Sequence, residues 1–478
     1  MNASKQIAIE YVDARADFFC ALADTIWENP ELSLKEFDST ASYCAALREL
    51  GFAVTEKLCG IDTAFCGSYG SGKPVIGILG EFDALSGLSQ QAGATQRTPR
   101  EDCACGQGCG HNLLGAAAFG AALAVKEAIA AGDLTGTVVF YGCPGEEGCA
   151  GKTFMARDGM FRDLDAALTW HPGDTNEVTV GSNAACLQME YSFQGIAAHA
   201  ADDPYNGRSA LDAAELMNVG VQFLREHMKP QCSVHYSFAD AGGISPNVVQ
   251  PTAKLIYMVR GDTVRSAKAL LSRVNDIAKG AALMSGTTMT CRQIDGTANI
   301  LSNTVLEQVL QDNLLLAPMP EYTEEEQALA GALKATFGET GLPGAMTQSS
   351  PQIRQFVMAQ TDNGRRAMNN FVMPYVPGFP FHAGSSDVGD VSWLTPTAQF
   401  NAATWPSGSP GHSWQNVSIG ATSVAHKGML YAAMVLAGAC ADLMTSPSLL
   451  EQARSEFNIT AAEGYDCPIG PEVTPTQG

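Results

Sequence analysis

Four short stretches of this chain gather side chains able to bind a metal ion or move a proton. Glu81-Phe82-Asp83 follows the apolar run PVIGIL, Pro144-Gly145-Glu146-Glu147 follows GTVVFY, and Trp170-His171 follows DAALT. The fourth stretch, Cys103-Ala104-Cys105-Gly106-Gln107-Gly108-Cys109-Gly110-His111, offers thiolates and an imidazole, good ligands for zinc-like ions. It reads two ways. Three Cys and one His could close a structural tetrahedral site; alternatively only Cys109 and His111 bind, as half of a catalytic site that keeps an open position. The nearby carboxylates favour the second reading, because a structural site needs no general base. Adjacent Glu146 and Glu147 allow a division of labour in which one binds metal and the other takes a proton from attacking water. A lone Glu-Glu is more often a solvated turn, but this pair stands between Pro-Gly and Gly directly after an apolar run.

For these stretches to meet, the apolar runs before them must be neighbouring strands. Runs 74–79, 136–141 and 165–169 are buried-strand candidates, and helical spacing over 112–131 and 152–162 separates them. Strands alternating with helices predict a mostly parallel α/β sheet flanked by helices. Residues just past the carboxyl ends of such strands line the ligand crevice. The opening, 14–50, has helical spacing broken at Asn29-Pro30-Glu31. Further on, strands at 185–193, 233–239, 252–259 and 287–293 alternate with helices at 208–227 and 263–285, the order of a split βαβ domain. The expected organisation is an α/β domain formed by 1–184 and 297–478, ending in a long helix at 418–444, with an α+β domain, 185–296, inserted in it.

The chain has 478 residues, 46% of them hydrophobic and 16% charged, a globular mixture. Its 28 basic and 50 acidic residues give a net charge of −22, which argues against nucleic acid or an anionic membrane as partner. The N-terminus shows no basic-then-apolar run, so the expectation is a cytoplasmic protein without a secretory signal. The most apolar stretch, 113–125, reads as too short to span a bilayer. Fourteen cysteines are then expected to be reduced, about twelve of them as small buried hydrophobes.

GEFDALSG, GCGHNLLG, CPGEEGCAGK, GIAAHAA, GGISPNVVQ and PGHSWQ occur in the order found in M20-type metallopeptidases and amidohydrolases, which the chain resembles almost from end to end. The resemblance is to the branch containing auxin-conjugate and N-acyl amino acid hydrolases and, within it, hydrolases of p-aminobenzoyl-glutamate. It implies a metal-dependent exopeptidase-type catalytic domain, an inserted lid and dimerisation domain, and two divalent ions per chain, zinc or manganese. The implied reaction is hydrolysis of the amide bond of a small N-acyl amino acid, with p-aminobenzoyl-glutamate expected as substrate and dipeptides or other N-acyl amino acids as alternatives. Cys109, as the bridging ligand, and His111, Glu147, His171 and His412 match the metal ligands; Glu146 matches the general acid/base, and Asp83 the carboxylate that orients a metal-binding His. His199 matches a His that polarises the scissile carbonyl, and Asn247 and Arg260 the pair that grips the substrate's carboxylate. A homodimer is implied, or pairing with a related subunit.

Some positions depart from the pattern. Asn112 stands where the branch has Asp, Glu81 where other branches have a metal-binding His, and Gln250 and Met258 replace Pro and Asp near the carboxylate grip. Segment 321–379 does not align and is expected to shape the acyl pocket. Of the other histidines, His227 reads as a surface or helix-end residue, His235 and His426 as packing or hydrogen-bonding residues, and His382 as a candidate substrate contact. Trp405 and Trp414 read equally as walls for an acyl group or as core.

Overall fold

The computed structural model describes residues 3–338, 341–344, 347, 350–378 and 380–476. Two compact units emerge. The first comprises Met1–Val180, Leu301–Phe379 and Val391–Glu463; the second comprises Gly181–Ile300, Pro380–Asp390 and Gly464–Gly478. The last two pieces of the second unit carry no sequence periodicity that would assign them to it.

The main strands in chain order are β1 (Ala53–Glu56), β2 (Phe65–Ser71), β3 (Val75–Gly80), β4 (Gly136–Gly142), β5 (Ala166–Gly173) and β6 (Glu177–Val178). Then come β7 (Ala185–Gln194), β8 (Ser233–Asp240), β9 (Thr252–Gly261), β10 (Thr288–Thr297) and β11 (Thr397–Ala403). In the first unit the order across the sheet is β1-β2-β4-β3-β5-β11-β6. The four central strands run parallel, and the margins are closed by antiparallel pairings. β3, β4 and β5 are continuous apolar runs because both faces of a parallel sheet are covered.

The covering elements include the helices His111–Ala130 and Ser423–Thr445, apolar all round and therefore core helices. Both are long and apolar enough to cross a membrane, which corrects the reading of 113–125 as too short, but most of each is buried inside the unit. Phe82 locks the end of β3 into this core. It packs against both the Tyr43 and Phe65 rings, with centroids 5.7 and 5.9 Å away, and is fully buried.

Several boundaries differ from the expected ones. The helix expected over 152–162 is Gly151–Arg157, ended by a turn at Gly159. The helix expected over 418–444 is Ser423–Thr445, set off by a turn at Gly420 from the short helix Trp414–Ile419, and it is not the last, because Pro447–Thr460 forms another. Of the fourteen cysteines, all free, five are buried, eight half-buried and one exposed, so the expectation of about twelve buried ones fails.

In the second unit β8-β9-β7-β10 form an antiparallel sheet. The helices Ala210–Leu224, capped by Ser209, and Val264–Ser285, started by a Thr263–Ser266 capping box and ended at left-handed Gly286, share its core. β8 is an edge strand that leaves Tyr236 and Phe238 exposed.

His426, in the first turn of helix Ser423–Thr445, holds Asp24 of helix Ala16–Glu28 at 2.8 Å. Burial opposes its charge, but Asp24 and Cys20 outweigh that and raise its pKa from 6.5 to about 9. A folded-state pKa raised above the unfolded value contributes stability that is fully present below about pH 6.5 and is lost as pH rises through about 9. Thermal unfolding followed across that window should therefore show a loss of at most about 3 kcal/mol, and His426→Gln should flatten the dependence. An unchanged pH profile in the variant would show that the pair does not carry it.

Candidate active site at the strand ends

Alternation along the chain sets the first side chains. With Phe82 turned into the core, Glu81 and Asp83 sit on either side of it beyond β3. One Asp83 oxygen is 2.9 Å from His111 Nδ1; the other accepts from Ser33 Oγ at 2.7 Å and from the Glu147 backbone N–H at 3.0 Å. A single carboxylate thus ties together the Ser33 loop, the turn after β4 and the start of helix His111–Ala130. Burial alone would raise its pKa, yet His111, Ser33 and the Glu147 amide hold it below the usual range.

Two glycines allow the turns. Gly110, just before His111, is left-handed at φ 75°, and a Cβ there would meet Pro172 and Trp405 at 3.0–3.1 Å. Gly151 passes so close to Pro144 that a Cβ would lie 2.0 Å from its carbonyl oxygen. The turn carrying Glu146 and Glu147 is thereby fused to the following helix.

Three sets of ligand-type atoms lie within 4.8 Å of one another: Cys109, His111 and His171; Cys109, Glu147 and His412; and Glu81, His111 and Glu146. Cys109 Sγ is 3.4 Å from His171 Nε2, and Glu147 Oε1 is 3.3 Å from His412 Nε2. His171 directs Nδ1 to the Pro172 carbonyl at 2.8 Å, which puts the proton there and the lone pair on Nε2. Burial and His111 lower its pKa, favouring that neutral form.

These residues fit a metal on observations of their own. His111 Nε2 and Glu147 Oε1 are buried atoms without a hydrogen-bond partner, a costly state unless a cation satisfies them. Burial also pushes the Cys109 thiol far above its ordinary pKa, so a cation is what would make its thiolate stable. His412 comes from a loop, with left-handed backbone at φ 50° and a side chain 56% exposed. Cys103 and Cys105 join none of these groups; Cys103 Sγ faces Ser89 and the Cys105 carbonyl.

The structure brings together Asp83, Cys109, His111, Glu146, Glu147, His171 and His412 in the first unit. His199, Asn247 and Arg260 belong to the second. There the Ala200 N–H donates to the Asn247 carbonyl at 2.9 Å, so His199 and Asn247 lie on adjoining loops. His199 Nδ1 accepts from the backbone N–H groups of Ala201 and Asp202, which leaves its proton on Nε2. Arg260, on β9 and paired in register with Cys186, is half-buried with Nε lacking a hydrogen-bond partner. Asn112 does not support His111: its amide donates to the Ala23 and Gly420 carbonyls, pinning the helix start to its neighbours. Trp405 is core, buried against Met368, Leu333 and Ile419.

Sequence reasoning misses four contributors. Ser33 supports Asp83. Glu36, raised to about 8 by burial and by Asp83, accepts the Gly145 N–H. Asn416 bonds the Gly108 and Pro410 carbonyls and so joins the loops of Cys109 and His412. Lys152 pairs with Glu81. The turn signal Asn29-Pro30 and the helix-capping Ser413, three residues before Asn416, are the available hints.

Residues 79–379 match the family model described as peptidase family M20/M25/M40. The chain belongs to this family. It is 43% identical over 470 residues to one of the subunits of p-aminobenzoyl-glutamate hydrolase from Escherichia coli K12, with 97% of each chain covered. It is 26% identical to the Xaa-Arg dipeptidase of Mus musculus over 96% of this chain and 93% of the relative. Among solved structures, a dinuclear metal-binding M20 peptidase from Bacillus subtilis superposes with a TM-score of 0.55 at 16% identity, covering 91% of this chain and 99% of its own. The M20 fold and an amide-bond hydrolase activity follow for this chain.

Gly151→Ala should force the Glu146–Glu147 turn away from the helix, lowering stability by about 1–3 kcal/mol. Chemical denaturation of the variant tests this, and a wild-type midpoint would show that the turn can yield without cost.

Proposed function

We propose that the chain hydrolyses p-aminobenzoyl-glutamate to p-aminobenzoate and glutamate, using two divalent ions held by Cys109, His111, Glu147, His171 and His412. The observation that carries this reading is that Cys109 belongs to two separate groups of ligand-type atoms, one with His111 and His171, the other with Glu147 and His412. One thiolate common to two such groups suits a dinuclear centre in which Cys109 would serve both ions. The mixture of thiolate, imidazole and carboxylate suits zinc and admits manganese. Ions bound there would polarise the scissile carbonyl and lower the pKa of the attacking water.

Glu146 takes the proton of that water and delivers it to the leaving amine nitrogen. Its neighbour Glu147 is engaged elsewhere, with its backbone N–H on Asp83 and its carboxylate beside His412. Asp83 orients His111 so that Nε2 faces the site. His199, with its proton on Nε2, donates to the carbonyl oxygen as negative charge develops there. Asn247 and Arg260 take the carboxylate of the substrate. The unpartnered Nε of Arg260 supports that assignment, and a fixed guanidinium is the natural clamp for an anion in a chain of net charge −22. The substrate assignment draws its support from the relative that is 43% identical. Fourteen free cysteines are in keeping with action in the reducing cytoplasm.

The test is to load the purified chain separately with zinc and with manganese and to follow p-aminobenzoate release. Turnover should vanish with chelator and return with metal. Glu146→Gln should keep both ions and lose about 10²–10⁴ in kcat. Near-normal turnover in that variant would remove Glu146 from its role. A fully loaded wild-type chain that leaves p-aminobenzoyl-glutamate intact, both alone and with a related partner subunit, would refute the substrate, and a panel of N-acyl amino acids and dipeptides ending in Arg would follow.

We also infer a homodimer joined along β8, supported by its unpaired edge and by Tyr236 and Phe238, 40% and 42% exposed. Phe238→Lys should shift the sedimentation coefficient from dimer to monomer. A dimer that persists in the variant would place the interface elsewhere, and a wild-type monomer would point to a related partner subunit.

A further inference from the structure

Lys152 is fully buried, with its ammonium 2.6 Å from Glu81 Oε1, and Glu81 is itself 3% exposed. Enclosing such a pair strips both ions of their hydration before their attraction offsets it, so bulk stability is a weak reason for its presence. Its surroundings suggest another. The second oxygen, Glu81 Oε2, lies 3.2 Å from His111 Nε2 without forming a hydrogen bond, and Glu81, His111 and Glu146 make up one of the ligand-type groups. A carboxylate there is within reach of any ion on His111 Nε2.

A catalytic ion must keep a coordination position open for water or substrate, and a spare carboxylate in reach is a ready ligand to fill it. Resting on the dinuclear reading above, we propose that Lys152 is a positioning residue that holds Glu81 out of the coordination sphere of the ion on His111, keeping that position open. The lysine is well placed to do so. It follows Gly151, whose backbone packs against the Pro144 carbonyl, and left-handed Ala150, so its stem is fixed to the Glu146–Glu147 turn. Charge agrees with this. Four carboxylates (Glu81, Asp83, Glu146, Glu147) and the Cys109 thiolate, set against one ammonium, leave four negative charges, the number two divalent ions cancel.

Cobalt(II) makes the coordination visible, because its d–d bands weaken as the coordination number rises. The cobalt-loaded wild type, Lys152→Met, Glu81→Gln and the double variant are compared by absorption spectrum, metal stoichiometry, kcat and KM. Lys152→Met is expected to bind two ions with weaker d–d bands and to lose about tenfold or more in kcat, with KM little changed. The double variant, in which position 81 no longer carries a carboxylate, is expected to regain the wild-type spectrum and most of kcat. Glu81→Gln is expected to hold two ions with the wild-type spectrum.

A Lys152→Met variant with unaltered bands and kcat overturns the proposal. So does Glu81→Gln losing one ion, since Glu81 would then be a ligand itself. If Lys152→Met does not fold, Glu81→Gln and the double variant decide: two ions and the wild-type spectrum in both support the proposal, and loss of an ion from either overturns it. A wild-type chain that takes up no cobalt would defeat the dinuclear reading instead, a result distinct from all of these.

Discussion

The arrangement at the strand ends depends on one buried carboxylate. Asp83 receives Ser33 Oγ, the Glu147 N–H and the His111 ring, and through them three segments far apart in the chain share one anchor. An isolated carboxylate in that position would be expelled or protonated. Surrounded by donors, it fixes the His111 ring and the Glu147 backbone together, so that two proposed ligands on different elements are aligned by the same charge. Phe82 explains why the carboxylate stays in place. The aromatic cluster that buries its ring also sets which way its two acidic neighbours face.

Around that anchor the site is assembled from unlike parts. Helix His111–Ala130 and strand β5 supply His111 and His171 on rigid supports, while Glu146 and Glu147 ride on a turn fused to the next helix. His412 comes from a loop, with a strained backbone and an exposed side chain. Asn416 compensates by bonding to the loops of both Cys109 and His412. Rigid positions and one tethered arm make chemical sense for a centre that must hold ions firmly yet admit a substrate.

Much of this is legible in the sequence, for identifiable reasons. β3, β4 and β5 stand out because strands buried on both faces are uninterrupted apolar runs, and the clusters directly after them mark carboxyl ends. β11 escapes notice because TAQFNAA carries three polar residues and little branching, although it continues the same parallel sheet. The ligand-type residues are legible because Cys, His and paired Glu in Gly-rich contexts are rarely packing choices. Ser33, Glu36 and Asn416 are not: single hydrogen-bonding residues in turns and short helices look alike in a sequence, and only tertiary contact tells a support from a surface residue. Lys152 looks like an ordinary early helix residue, since nothing local reveals that its ammonium is enclosed.

Segment 321–378 illustrates a different kind of information. It packs within the first unit, and among its described residues two connections run to the neighbourhood of His412: Ser407 N–H to the Ala367 carbonyl, and Gln415 to the Thr336 hydroxyl. Asp83, Glu147 and His111 are instead held together by segments that all precede residue 150. Heritable change in this segment can therefore reshape what surrounds the exposed arm of the centre while the deeper half is left alone. A lineage built this way can vary the rim in one region without gambling the supports that hold the other.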